Sequence, residues 1–352
     1  MPKSTQTHNP IPVGIIGQGR SGWNIHAATI DTMPQAFKIA CVADHQADRR
    51  AEAAERFGCE AVEDPQALID SKAVKLVVVA SPSQFHAEHA EAAMRAGKHV
   101  VVEKPLANST ADVDRLIATA KQTGTVLAPF QNMRFDPLLR MVQAILAEGK
   151  IGRPIKITCC FHNFARRWDW QTLNRFDGGA LRNTGIHALD QAMEFLGETD
   201  DAGPKLMSHL DRAISSGDAE DFANVTLCGT TGPLIQVEVG HCFARPHPRW
   251  NVVGEQGAIV SDTDNQGVAV RWTDLSELPS RDVDPTPTAD RSYNSETYKW
   301  QEENRKLTGN ETSSFHAFYE DLHAHLTQSS PLTVTPQSVR ERIAIIERCG
   351  TY

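Results

Sequence analysis

The sequence lacks several features that would place it in a specialised class. It contains no apolar run long enough to cross a bilayer, so we expect no membrane partner. Residues 1–12 are polar and contain proline, without the apolar core of a secretory signal peptide. No Cys-x-x-Cys pair occurs among the seven cysteines, so neither a zinc knuckle nor a redox dithiol is predicted and no metal site is expected. Such scattered thiols favour a cytoplasmic protein that keeps them reduced.

Positive charge is also scarce. The 35 Lys and Arg residues are outnumbered by 44 Asp and Glu residues, which gives a net charge of −9. This balance argues against nucleic acid as a main partner, because phosphate binding needs a basic surface. The chain of 352 residues exceeds the length at which one hydrophobic core usually keeps growing, so two domains are expected.

A buried strand ending in charged residues is the most informative stretch of the chain. The segment His99–Pro105 reads His-Val-Val-Val-Glu-Lys-Pro, and its β-branched residues are typical of a buried strand. In an open parallel sheet, ligands bind beyond the carboxyl ends of the strands, where Lys104 would face them. Pro105 stops further strand pairing. The alternative interpretation is an ordinary surface strand end.

A glycine-rich turn joins the first apolar strand to the following helix. It reads Gly17-Gln18-Gly19-Arg20-Ser21-Gly22. In such a G-x-G-x-x-G turn, Gly17 permits the tight bend, Gly19 lets a pyrophosphate approach the backbone, and Gly22 lets the helix pack on the strand. The helix N-terminus supplies free N–H groups for phosphates. This context predicts a dinucleotide site.

An acidic residue, Asp44, ends the second predicted strand. An acid at this position hydrogen-bonds the adenosine ribose hydroxyls and favours NAD, because it would repel the ribose phosphate of NADP. His45, Arg49 and Arg50 lie nearby and reduce this preference, so NADP remains an alternative. The other interpretation of Asp44 is an N-cap of a helix predicted over Gln46–Phe57.

The alternation of strands and helices divides the chain into two predicted domains. Residues 1–130 are expected to form an α/β Rossmann domain with a parallel sheet and right-handed crossovers. Residues 131–352 are expected to form an α+β domain for substrate binding and oligomerisation, with a large, mostly antiparallel sheet from the strand-like pattern in 205–270. The C-terminal helix, Gln337–Arg348, is expected to pack back on the first domain. Residues 274–294 are predicted to be a loop.

Two stretches of the second domain carry candidate substrate-binding residues. A predicted helix after a double glycine holds Asn183, His187 and Asp190 at i, i+4 and i+7, which places them on one face. A helix with a solvated stripe is the alternative. Earlier in the chain, five polar and aromatic residues are crowded together: Arg166, Arg167, Trp168, Asp169 and Trp170. Arginine and tryptophan suit a carbohydrate pocket, and they equally suit a surface loop or subunit contact.

Three segments recur together at spacings that resemble the glucose–fructose oxidoreductase / inositol dehydrogenase (Gfo/Idh/MocA) family. They are the glycine-rich turn, Ser81-Pro82-Ser83-x-x-His86 leading to Ala96-Gly97-Lys98-His99, and Glu103-Lys104-Pro105. The resemblance covers nearly the whole chain. It implies that Ser81, His86, Glu103 and Lys104 belong to the cofactor site, that Lys104 lies between nicotinamide and substrate, and that the following peptide bond is often cis.

The resemblance extends to the helix after the double glycine, with one departure. It implies that His187 is the proton-transfer residue, but Asn183 stands where the family carries an acid. Asparagine cannot accept a proton or balance the charge of Lys104, although its amide can hold a substrate hydroxyl. His187 is then the obvious titrating base near Lys104.

The expected function is an NAD(P)-dependent oxidoreductase acting on a secondary alcohol of a sugar, sugar derivative or cyclitol. Lys104 would stabilise charge on the reacting oxygen while His187 takes the hydroxyl proton. A homodimer or homotetramer joined through the C-terminal sheet is implied by the resemblance. Two alternatives remain: a non-redox lyase or glycosidase that uses tightly bound NAD for transient oxidation, and a non-enzymatic sensor or partner-binding relative.

Overall fold

The computed structural model describes residues 9–286 and 293–350. The expectation for the N-terminal tail lies mostly outside these residues, since 1–8 are not described. The same holds for positions 287–292 of the predicted loop over 274–294.

A six-stranded parallel sheet forms the first half of the molecule. Its strand order is β3-β2-β1-β4-β5-β6, which is the doubly wound order of a Rossmann fold and confirms the prediction. Every residue of the Leu-Val-Val-Val strand is buried, because helices cover both faces of the sheet. The strands are β1 (Ile11–Ile16), β2 (Phe37–Ala43), β3 (Glu60–Val62), β4 (Leu76–Val79), β5 (His99–Val102) and β6 (Leu127–Pro129).

The helices of this half begin and end at residues with ordinary capping chemistry. Ser109 accepts a hydrogen bond from Asp112 N at one N-terminus, and Gly58 and Gly124 take left-handed conformations at two C-termini. The first helix begins with a π-helical segment, Ser21–Ala27. The helices are α1 (Ala28–Asp31), α2 (Ala47–Phe57), α3 (Pro65–Asp70), α4 (His86–Arg95) and α5 (Thr110–Thr123).

An eight-stranded sheet forms the second half, in the order β14-β13-β12-β11-β7-β10-β9-β8. Among these strands β7 and β10 pair in parallel and the other neighbours are antiparallel, as predicted. The strands are β7 (Pro154–His162), β8 (Lys205–Asp211), β9 (Phe222–Cys228), β10 (Leu234–Gly240), β11 (Trp250–Gly254), β12 (Gly257–Ser261), β13 (Gly267–Trp272) and β14 (Gln301–Lys306).

Strand β14 is an addition that the sequence pattern did not predict. It reads Gln-Glu-Glu-Asn-Arg-Lys, with none of the apolar alternation of a half-buried strand. It forms the edge of the sheet and pairs with β13 alone, so its side chains stay largely in solvent. Charged residues on an edge strand discourage further pairing with other chains.

The last two helices pack against the first half, and the final one also packs against the second half. Phe318, Tyr319 and Leu322 of α8 pack in the core beneath the parallel sheet. Val339 and Ile343 of α9 join the same core, whereas Ile345 and Ile346 lie in the core beneath the second sheet. The remaining helices are α6 (Pro137–Ala147), α7 (Ile186–Met193), α8 (Ser314–Gln328) and α9 (Pro336–Cys349). Within the described residues, none of the helices combines the length and the apolarity needed to cross a membrane.

Candidate active site

A cleft of about 1190 Å³ lies where the carboxyl ends of the parallel strands meet the helix after the double glycine. Side chains from both halves line it, as expected for a ligand site at the carboxyl edge of a doubly wound sheet. Among the residues singled out from the sequence, the following line the cleft: Gly17, Gly19, Arg20, Asp44, Ser81, His86, Glu103, Lys104, Trp170, Asn183 and His187.

The glycine-rich turn has the shape of a dinucleotide cradle. Gly17 has a φ of +91°, and a Cβ there would lie 2.6 Å from the carbonyl oxygen of Ala80. A Cβ on Gly22 would overlap the carbonyl oxygen of Gly17. Gly19 borders the cleft and has no heavy atom within 4 Å of its Cβ position, so bare backbone faces open space. These features fit a pyrophosphate held against the turn.

Asp44 ties the end of β2 to the glycine-rich turn. Its carboxylate accepts hydrogen bonds from Gln18 N at 2.7 Å and from Gln46 N at 2.9 Å. The N-cap position of α2 belongs to Gln46, so Asp44 does not take the capping role that was its alternative interpretation. His45 Nδ1 and Arg49 Nη1 lie 3.5 and 3.7 Å from the same carboxylate, so an imidazole and a guanidinium stand beside this acid at the mouth of the cleft.

Glu103 is buried as an anion beneath the cleft. Its carboxylate contacts His26 Nε2 at 3.2 Å and accepts a hydrogen bond from Lys104 N at 2.9 Å. Burial alone would raise the pKa of Glu103, but the hydrogen bond with His26 and the charge of Lys104 lower this pKa to about 2. His26 Nδ1 lies 2.7 Å from the Tyr319 hydroxyl, so His26 connects Glu103 to α8.

Lys104 extends from the end of β5 into the cleft. Its Nζ donates to the backbone oxygen of Asn183 at 2.9 Å and to Asn183 Oδ1 at 3.0 Å. Burial lowers the pKa of Lys104, and the nearby charges of Arg20 and Arg167 lower it further. The Lys104–Pro105 peptide bond is cis, as the family resemblance implied.

His187 is placed to accept a proton. Its Nδ1 lies 3.1 Å from Gln131 Oε1, an acceptor, so the ring proton belongs on Nδ1 and Nε2 keeps its lone pair. Burial and the charge of Lys104 lower the pKa of His187 to about 3, so the ring is neutral at physiological pH. A neutral imidazole beside an ammonium group can act as a general base.

Asn183 is held in place by a reciprocal pair of amides. Its Nδ2 donates to Gln171 Oε1 at 2.9 Å, and Gln171 Nε2 donates to Asn183 Oδ1 at 3.2 Å. Arg167 Nη2 also donates to Gln171 Oε1, at 2.5 Å. The position where the family carries an acid therefore contributes a rigid, uncharged amide next to Lys104.

His86 joins the two turns that carry Ser81 and Lys104. Its Nδ1 lies 2.7 Å from the oxygen of Pro105, and its Nε2 lies 2.9 Å from the oxygen of Ser81. The ring is buried between these turns. Its contacts place it as a positioning residue for two turns that border the cleft.

Several predicted residues lie away from the cleft lining. Arg166 donates to Ser216 Oγ at 3.3 Å, and the Trp168 side chain is 78% exposed. Gln18 contributes through its backbone, and Gly22 packs behind the turn. Of the crowded Arg and Trp residues, Arg167 and Trp170 do line the cleft.

Asp190 shares a helix with His187 but has a different environment. It is completely buried and forms ion pairs with Arg134 and with Arg342, the latter at 3.2 Å. Glu194 adds a second carboxylate, 2.7 Å from Arg342. This ion cluster connects α7 with α9. Asp190, the third polar residue of the predicted helix face, therefore stabilises the packing of these two helices.

Sequence reasoning missed Gln131, Gln171 and His26. Gln131 could have been found, because it follows β6 at the same sheet edge that drew attention to Lys104. His26 and Gln171 lie in a helix and a loop without a distinguishing pattern, and their partners are far away in sequence.

Known protein families match the two halves of the chain separately. A family model described as an oxidoreductase family with an NAD-binding Rossmann fold matches residues 11–130. The GFO/IDH/MocA C-terminal domain model matches residues 139–260. Myo-inositol 2-dehydrogenase of Thermotoga maritima is 30% identical over 76% of this chain and 80% of its own length.

Two further relatives extend over almost the whole chain. The scyllo-inositol 2-dehydrogenase (NADP⁺) of Bacillus subtilis is 23% identical over 98% of this chain and 94% of its own length. The crystal structure of aldose-aldose oxidoreductase from Caulobacter crescentus superposes with a TM-score of 0.77 at 20% identity. It covers 97% of this chain and 96% of the solved chain, which shows a shared fold.

Proposed function

Because the chain belongs to the GFO/IDH/MocA family of NAD-binding oxidoreductases, we propose that it transfers hydride between a nicotinamide cofactor and a secondary alcohol of a cyclitol, sugar or sugar derivative. The observation that carries the proposal is the joint placement of Lys104 and His187. One cleft contains the half-buried Lys104 side chain, a neutral imidazole and the glycine-rich turn.

The chain's own groups provide the acid–base part of this reaction. Lys104 donates a hydrogen bond to the reacting oxygen and stabilises negative charge that develops there. His187 Nε2 accepts the hydroxyl proton, while Gln131 keeps the other ring proton on Nδ1. Asn183 orients Lys104 through two acceptor oxygens. NAD, when bound, supplies the hydride acceptor.

We propose that the glycine-rich turn and Asp44 hold the cofactor, with NAD preferred and NADP as the alternative. The buried carboxylate suits two ribose hydroxyls and would repel a ribose phosphate. Arg49 and His45 reduce this repulsion. Replacing Asp44 with Ala should therefore weaken binding of NAD more than binding of NADP, measured by fluorescence titration. Equal loss of both would contradict a ribose role.

The proposal is tested by the absorbance of reduced nicotinamide. Purified protein with NAD or NADP is tested against a panel of inositols, aldoses and glycosides. We expect signal with one substrate group, and Lys104→Ala should reduce turnover by orders of magnitude with near-normal NAD binding. Lys121→Ala, an exposed lysine on α5, is the matched control and should retain full turnover. Unchanged turnover in Lys104→Ala would remove Lys104 from the mechanism.

A non-redox lyase or glycosidase is the second candidate, and the family relationships do not favour it. The same assay distinguishes the two. Turnover of a glycoside with NAD retained and no net reduced cofactor would support that candidate. Accumulation of reduced cofactor in proportion to substrate would exclude it.

Self-association and a cytoplasmic location are further parts of the proposal. The outer face of the second sheet exposes Met207 on β8 and Val253 on β11, at 68% and 42%. Exposed apolar side chains on a sheet face suit contact with a second copy. Met207→Asp should reduce the mass measured by light scattering, and an unchanged mass would argue against this face.

The cytoplasmic location rests on seven free cysteines, which suit a reducing compartment.

A further inference from the structure

Four potential metal ligands meet on the second sheet, away from the cleft. They are Cys160 and His162 of β7, Glu238 of β10, and His247 in the loop before β11. One ligand atom from each residue lies within 4.8 Å of the other three. Sheet geometry creates the group: Cys160 and His162 are two residues apart on one face, and Cys160 pairs with Glu238 across the parallel ladder.

We propose that these four residues form a zinc site. Around tetrahedral zinc, nitrogen, oxygen and sulfur ligands lie roughly 3.3–3.7 Å from one another, which follows from bond lengths of about 2.0–2.3 Å. His162 Nε2 and His247 Nδ1 lie 3.1 and 3.5 Å from the same oxygen of Glu238, close to that spacing. The wider pairs need to close by about 1 Å.

The His162 side chain supplies an independent indication of a ligand. It is fully buried, and its Nε2 makes no hydrogen bond, although it lies 3.1 Å from Glu238 Oε1. The ring is held flat against Phe243, with centroids 3.5 Å apart and planes inclined by 4°. A buried ring nitrogen that is fixed in direction and faces a carboxylate without a hydrogen bond is suited to bind a cation there, once its proton has moved to Nδ1.

One neighbouring polar group supports the same assignment, and a second has to move. Asn224 Nδ2 donates to Glu238 Oε2 at 3.0 Å, which leaves Oε1 as the single ligand oxygen. The backbone N–H of His247 points at His162 Nδ1 at 3.2 Å. Zinc binding through Nε2 requires a proton on Nδ1, so this contact must open when the exposed loop closes on the metal.

The chemistry of the set selects zinc over harder cations. One sulfur, two imidazoles and one carboxylate match the ligands of structural zinc, whereas calcium and magnesium require oxygen. Four protein ligands leave no open position for a substrate, and the thiolate and carboxylate balance the charge of the ion. The site would therefore stabilise the pairing of β7 with β10 and the loop before β11.

The test uses the full-length protein stripped with a chelator and titrated with Zn²⁺ and with Co²⁺. We expect about one zinc per chain by elemental analysis, a higher melting temperature, and a cobalt–thiolate charge-transfer band. Cys160→Ser should abolish the cobalt band and weaken zinc binding by at least about 100-fold. His247→Ala, at an exposed side chain that should not affect folding, should also weaken binding. Asn224→Ala, a positioning variant, should cost about 10-fold.

Matched controls come from the same sheet. Cys228 is an exposed free cysteine on β9 and His209 is an exposed histidine on β8, so Cys228→Ser and His209→Ala should bind zinc like the parent. The proposal is overturned if the parent binds no zinc at equimolar concentration, if no cobalt–thiolate band forms, or if the control variants lose zinc as readily as His247→Ala.

Discussion

Replacing Asn183 with Asp tests the electrostatics of the cleft most directly. The substitution restores the acid that the family carries and changes the shape of the side chain very little. In the present structure the amide oxygen lies 3.0 Å from Lys104 Nζ, so the new carboxylate would form an ion pair at the same distance. The charge near the Lys104 ammonium would change, and the hydrogen bond from Asn183 Nδ2 to Gln171 Oε1 would be lost.

The expected size of the effect follows from that distance. Two unit charges about 3 Å apart attract by roughly 5–6 kcal/mol at an effective dielectric constant near 20. Desolvation of the new carboxylate offsets several kcal/mol of this attraction. The remainder corresponds to an increase of about 1–3 units in the pKa of Lys104. The pKa of His187 should also rise, because the positive charge of Lys104 is one cause of its present low value and the new carboxylate would offset that charge.

The assay is the pH dependence of kcat/KM for alcohol oxidation. In the parent, loss of the Lys104 proton should produce an alkaline limb below the ordinary lysine value of 10.5, because burial lowers this pKa. In Asn183→Asp the limb should move upward by about 1–3 pH units. Asn183→Leu removes the amide without adding charge and should lower the rate without an upward shift. An unmoved limb in Asn183→Asp, or an equal shift in Asn183→Leu, would refute the reasoning.

Three further predictions concern stability and the cofactor turn. The native pKa of His187 is about 3 and its unfolded value about 6.5, so the unfolded state binds a proton first. The free energy of unfolding should therefore fall by about 1–2 kcal/mol between pH 6.5 and 5, and urea titrations of His187→Asn should lack this decrease. Arg134→Met should lower the free energy of unfolding by about 3 kcal/mol because it leaves Asp190 buried with one partner fewer, and a loss under 1 kcal/mol by urea titration would contradict this. Gly22→Ala should abolish NAD binding in fluorescence titrations, because its Cβ would overlap the oxygen of Gly17, and retained affinity would show that the turn adapts.

The sequence by itself determined the features that depend on short stretches of chain. Alternating strands and helices predicted the parallel sheet, and the glycine spacing predicted the tight turn whose backbone faces the cleft. Lys104 and His187 were identified because short motifs around them resemble those of a known family. Such features are local, because strand and helix periods and turn chemistry depend on neighbouring residues. Strand β14 was not predicted, because an exposed edge strand needs no apolar alternation.

Tertiary structure alone decided which distant side chains meet. Lys104 and Asn183 are 79 positions apart, and Gln131 and His187 are 56 apart, yet both pairs are hydrogen-bonded. The tertiary structure also places Asp190 in a buried ion pair and not in the cleft. The physical reason is that loops and the order of strands bring chain segments together, and neither periodicity nor spacing records that order. The Cys160 and Glu238 pairing across two parallel strands arises in the same way.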